Sequence, residues 1–137
     1  INPYIPVAAQ ITMDKLPGVL KNVKAGRTEY DFTGICANGV NCIYFMLDNG
    51  KFYIDFEAMS KEQLPYLGSL KQFAKEHNYP IVETTYNNTP VDYGHLKYAP
   101  VLSLKVNADI DSIVKVGKQI EQTIFRNNER TVYEIVP

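Results

Sequence analysis

The chain predicts an α+β fold, with an antiparallel-dominated mixed sheet, a central β-meander over about 28–58 and about three helices packed on one face. Three observations carry this. Two Asn-Gly pairs, Asn38-Gly39 and Asn49-Gly50, each stand between alternating apolar runs. Three stretches repeat apolar residues at helical spacing. Short strand-like runs fill the intervals, so the elements follow in the order β-α-β-β-β-α-β-β-α-β.

The first strand is expected at about 4–12, within "YIPVAAQIT". "MDKLPGVLKNVKAG" then reads as a short helix, with Asp14 as its cap and Gly26 beyond its end. Type I′ turns need positive φ at both central residues, and Asn-Gly supplies them. With both pairs taken as two-residue loops, the first turn sets Phe32 opposite Phe45 and Tyr30 opposite Leu47. The second sets Phe45 opposite Ile54, Leu47 opposite Phe52 and Ile43 opposite Phe56. Both then select one apolar face, Tyr30, Phe32, Ile43, Phe45, Leu47, Phe52, Ile54 and Phe56, and a one-residue slip would scramble it. Cys36 falls on that face and Cys42 on the other. Side chains on opposite faces cannot form a disulfide, so free thiols and a slight preference for the cytoplasm follow.

After the meander, Ser60 and Gln63 have capping-box spacing, Pro65 fits a first helical turn, and Leu67, Leu70, Phe73 and Ala74 form a buried stripe. His77 at the end of this helix suits the dipole there. Strands are expected at about 80–86 and 98–106, separated by an irregular segment, "NNTPVDYGHLK", at 87–97. The third helix is the clearest. Asn107 or Asp109 caps it, Ile110, Ile113, Val114, Gly117, Ile120 and Ile124 face inward, and Lys115, Lys118, Gln119 and Glu121 face water. A last strand falls at about 130–136. No linker or low-complexity tract divides the sequence, so 1–137 reads as a single globular domain.

An echo remains. "YIPV" at Tyr4 and "YAPV" at Tyr98 each precede a strand-like run and a helix. Proline lacks an N–H and belongs at strand starts or edges, so the pair reads as two strand entrances protecting an edge. An internal duplication is the alternative.

Totals exclude several function classes. A net charge of -1 gives no footprint for nucleic acid, and no run approaches a membrane span. There is no phosphate-binding loop, dinucleotide fingerprint or serine-hydrolase elbow, so no cofactor is expected. Two histidines and two cysteines set far apart give no zinc pattern, so no metal is expected either. The chain opens at Ile1, which fits removal of a leader, a tag or a neighbouring domain.

Two candidate sites stand out. On the meander's second face lie Glu29, Asp31, Thr33, Tyr44, Met46, Asp48, Tyr53, Asp55 and Glu57. Aromatic and thioether side chains among carboxylates suit contact with a protein surface, so Tyr44, Met46, Tyr53, Asp31 and Asp55 are the expected partner-binding residues. The partner is a protein or a second copy, as a homodimer. The other candidate is a pocket between the sheet and 87–97, where Asp92, Tyr93 and His95 gather an acid, a phenol and an imidazole. The first reading makes the chain a binding module rather than an enzyme. The second makes it a small-molecule binder or small enzyme, and a third makes it an exported domain of a larger assembly.

Overall fold

Ser60 donates its backbone N–H to Gln63 Oε1 at 3.0 Å, and the Gln63 amide reaches across to the Val40 carbonyl at 2.9 Å. That capping box ties a helix start to a hairpin loop in the computed structural model, which describes residues 3–6 and 8–137. The elements are β1 (Gln10–Ile11), α1 (Leu16–Lys24), β2 (Phe32–Ala37), β3 (Asn41–Asp48), β4 (Lys51–Glu57), α2 (Leu64–Glu76), β5 (Ile81–Tyr93), β6 (Leu96–Ala108), α3 (Ile110–Thr123) and β7 (Tyr133–Val136). Short 3-10 turns precede α1 and α2, and each helix accepts a proline, Pro17 or Pro65, in its first turn.

Among the described residues seven strands form one open sheet in the order β1-β7-β2-β3-β4-β6-β5, and every neighbouring pair is antiparallel. All three helices contribute to one core, which joins Leu16, Leu20, Leu70, Ile113 and Ile120 to Ile35, Ile43, Phe45, Phe52, Ile54 and Leu104 of the sheet. Helix α3 packs tightly on the sheet at Gly117, where a Cβ would lie 2.8 Å from Phe45 Cζ. Asp109 caps α3 by accepting from the Ser112 N–H at 3.0 Å. The role assigned to Asp14 passes to Thr12, the N-cap of the 3-10 turn ahead of α1, which hydrogen-bonds Asp14. Among the described residues no helix is long and apolar enough to cross a membrane.

The two Asn-Gly turns differ. Asp48 stands opposite Lys51, so Asn49-Gly50 is a two-residue loop with φ of 50° and 77°. Ala37, however, stands opposite Asn41, so the first loop holds three residues, Asn38, Gly39 and Val40. The expected register of the first hairpin is therefore wrong by one residue. Phe32 lies opposite Met46, Thr33 opposite Phe45 and Ile35 opposite Ile43. Thr33, Ile35 and Ala37 turn into the core, while Phe32 leaves it and Tyr30 is exposed. Cys36 now faces Cys42 on the same side of the sheet, and the two form a disulfide. The free-thiol expectation fails with the register, and so does the ground for preferring the cytoplasm.

Three further expectations change. Residues 87–97 are not an irregular loop but the outer half of the β5–β6 hairpin, closed at Gly94-His95. Register shifts on either side of Pro90 absorb the turn-like Asn-Asn-Thr-Pro run. Among the described residues of the expected first strand, Gln10–Ile11 form β1, and the Ala9 carbonyl accepts from the Ile135 N–H at 3.0 Å. Tyr4 and Pro6 precede it, and Val7 of the YIPV tetrapeptide lies outside the described residues. Pro100 sits inside β6, between β4 and β5, so the two tetrapeptides are not equivalent strand entrances. Glu121, assigned to the wet side of α3, is 1% exposed. Asn127 donates to its Oε1 at 2.9 Å, and burial raises its pKa to about 7 against the opposing pull of Asn127 and Tyr133.

Candidate binding face

With every helix on one side, the other side of the sheet is built from alternate residues of each strand. Two rows cross its centre. Phe32, Met46 and Tyr53 stand side by side on β2, β3 and β4. Beside them run Gly34, Tyr44, Asp55, Ser103 and Val82, from β2 across to β5. Gly34 is required for packing rather than for a turn. A Cβ there would come within 2.5 Å of both Tyr44 Cδ1 and Val136 Cγ2, so the Tyr44 ring lies over the bare backbone. The Phe32 ring meets Tyr44 edge-on at 6.4 Å between centroids, and Tyr30 leans on Phe32 at 5.6 Å. These contacts hold a connected aromatic patch in place.

Carboxylates rim that patch. Ser103 donates to Asp55 Oδ1 at 2.5 Å, yet burial pushes the Asp55 carboxyl above its ordinary range, against the opposing pull of Ser103 and Lys105. Glu57 is raised as well, first by burial and then by Asp55. Burial also raises the Tyr44 phenol, followed by repulsion from Glu57 and Tyr86. Tyr53 is raised by burial and then by Asp55, Asp48 and Asp31. The cation within this group is Lys105, whose Nζ sits 3.5 Å from the centre of the Tyr53 ring. The face is thus half-buried, aromatic at its centre and acidic around it.

Of the residues expected here, Tyr44, Met46, Tyr53 and Asp55 share the face. Asp31 lies just before β2, exposed, with its carbonyl accepting from the Leu47 N–H at 3.0 Å. Thr33 turns the other way, into the core. The sequence reading missed Phe32, Lys105 and Tyr86. A three-residue first loop would have found Phe32, but Lys105 and Tyr86 arrive through long-range pairing that no local pattern announces.

The second candidate group sits at the end of the β5–β6 hairpin. Asp92 and His95 are exposed, and the Tyr93 hydroxyl donates to the Ala58 carbonyl. A cleft of about 480 Å³ lies elsewhere, between the N-terminal segment and α1, lined by Ile5, Gln10, Lys15 and Val19 among others. A cleft of about 350 Å³ beside it is lined by Tyr4, Tyr30 and Phe32. Residues 87–97 line neither. Among the described residues no three metal-ligating side chains converge. No protein-family model, no curated protein and no solved structure matches this chain.

Proposed function

We propose that this protein is an interaction module whose uncovered sheet face binds a protein surface carrying lysine or arginine beside apolar side chains. The observation that supports it best is the one-sided cover of the sheet. Three helices bury one face and leave the other to Tyr44, Met46 and Tyr53 among the half-buried carboxylates Asp55 and Glu57. Aromatic side chains already held by neighbours lose little freedom on contact and make good anchors. Carboxylates that are partly desolvated attract an incoming cation more strongly than solvated ones do. Two copies meeting through this face would set acid against acid, so a basic partner fits better here than a second copy.

The test is capture of partners in the native host with the wild type and with Tyr53→Ala, Tyr44→Ala and Asp55→Lys. The expected result is a partner with a basic surface, bound more weakly as salt rises, and lost in all three variants while their far-UV spectra and melting stay cooperative. Variants that retain the same partners would overturn the reading, as would a wild type that captures none.

A second reading concerns compartment. The Cys36–Cys42 bond favours an oxidising environment, which suits an exported domain of a larger assembly. Alkylation of the protein in rapidly quenched cells tests this, and two free thiols there would end it.

A further inference from the structure

The two edges of the sheet are unlike. One is β1, two residues long. The other is β5, whose segment Ile81–Tyr86 pairs regularly with β6 on one side and, among the described residues, has no strand on the other. Exposed edges are ordinarily blunted by shortness, charge or proline. This segment is neither short nor broken by proline: Glu83 is its one charge, and Pro90 comes only after the first register shift. Its apolar residues are open to solvent, Ile81 at 38% and Val82 at 43%. Glu83 is paired within the chain with Lys71, whose Nζ lies 2.5 Å away.

We infer that β5 pairs with β5 of a second copy of this chain, antiparallel and centred on Thr84, to join two seven-stranded sheets into one. The backbone fixes which groups are available. The Pro80 carbonyl accepts from the Lys105 N–H at 2.8 Å, so by antiparallel alternation Val82, Thr84 and Tyr86 direct their backbone groups to β6. Ile81, Glu83 and Thr85 then direct theirs to the free edge. Two antiparallel strands related by a two-fold axis perpendicular to the sheet pair residues of equal parity, which keeps both uncovered faces on one side.

Among such registers the side chains choose. Centring on Glu83 would oppose two carboxylates, and like charges directly opposite are destabilising. Centring on Thr84 pairs Thr84 with its own mate, Val82 with Tyr86 and Glu83 with Thr85. Threonine pairs and aromatic with β-branched pairs are favourable across strands. Strand addition at an edge draws affinity from the backbone and specificity from alternate side chains, and this edge supplies both to a copy of itself. The inference does not rest on the binding-face reading, since it draws on the free backbone edge of β5 rather than on the Tyr44 patch, although Thr84 points to the same side of the sheet. If both hold, the dimer carries two acidic aromatic faces side by side.

Thr84 is exposed, so charge can be placed there without disturbing the core. Sedimentation across the micromolar range should show the wild type dimerising. Thr84→Lys and Thr84→Glu should each sediment as monomers, because each opposes a like charge across the axis, and their equimolar mixture should dimerise again. Tyr53→Ala should dimerise as the wild type does. A monomeric wild type would overturn the inference. Single variants that remain dimers would overturn it too, as would a mixture that fails to re-pair.

Discussion

The two hairpins of the meander start from the same dipeptide and reach different loops. Asn49-Gly50 closes a two-residue turn, whereas Asn38-Gly39 takes Val40 into a loop of three. Both asparagines and both glycines have positive φ, so the dipeptide does the same local thing twice. What differs is what holds each hairpin from outside. Around the second turn the strands alternate cleanly, and the pairing follows from the turn. Around the first, the Gln63 amide holds the Val40 carbonyl, the Cys36–Cys42 bond locks one cross-strand pair, and β7 pairs β2 from its other side. Asn-Gly selects the hand of a turn, and tertiary contacts select its length.

Deleting Val40 should break this contrast most severely. A forced two-residue loop would turn Ile35 and Thr33 out of the core and separate the cysteines. The expected loss is about 5 kcal/mol or more, enough to abolish the cooperative melting transition seen by circular dichroism. A deletion variant that melts like its parent would mean the first register is not fixed by its loop.

A change of pH should, by contrast, leave the difference between the hairpins alone. Glu121 has a folded pKa of about 7 against an ordinary 4.5, so the folded state binds the extra proton. Its contribution is fully present below the unfolded value and is lost as pH rises through the folded one, for a fall of roughly 3 kcal/mol. Asp55 and Glu57 are also raised and add to the same slope. Urea midpoints at mildly acidic and mildly alkaline pH should therefore differ, and Glu121→Gln should shrink the gap. A Glu121→Gln variant with the parental slope would show that this carboxylate is not the titrating group.

Reduction of the disulfide should sharpen the comparison. Closing so short a loop constrains the unfolded chain by about 2 kcal/mol. Amide exchange should accelerate around Asn38–Val40 and stay unchanged around Asn49–Gly50, and equal acceleration in both would contradict the division of roles. The smallest effect is at the glycines themselves. Gly39→Ala and Gly50→Ala, at φ of 67° and 77°, should each cost about 1 kcal/mol in denaturant melts. Markedly unequal losses would show that the two dipeptides differ locally after all.

Much of this fold is legible in the residue order because much of it is local. The second hairpin, the capping box at Ser60 and Gln63, and the inward stripes of α2 and α3 follow from spacing alone. Tyr44, Met46, Tyr53 and Asp55 could be gathered on one face because they belong to that second hairpin. Phe32 was lost with the first register, and Lys105 and Tyr86 depend on β6 and β5 joining at the edge of β4. Glu121 defeats helical spacing for a similar reason. Its cover comes from the turn after α3 and from Tyr133, which place an amide and a phenol over a position that faces water on an isolated helix. The extension of β5 through Asn87 and Pro90 was hidden because turn-forming residues also suit bulges in an edge strand.

The place of β7 has a consequence in time. This strand lies between β1 and β2, so it pairs with the first two strands, while β2–β3–β4 and β5–β6 join neighbours in sequence. Sequence-local hairpins close in microseconds, whereas pairing distant segments must first meet a large loop-closure cost. The meander and the long hairpin can thus assemble early, with the seam between the chain's two ends closing afterwards. Until it closes, β2 has an open side, and the nascent sheet has a second sticky edge that the finished molecule conceals.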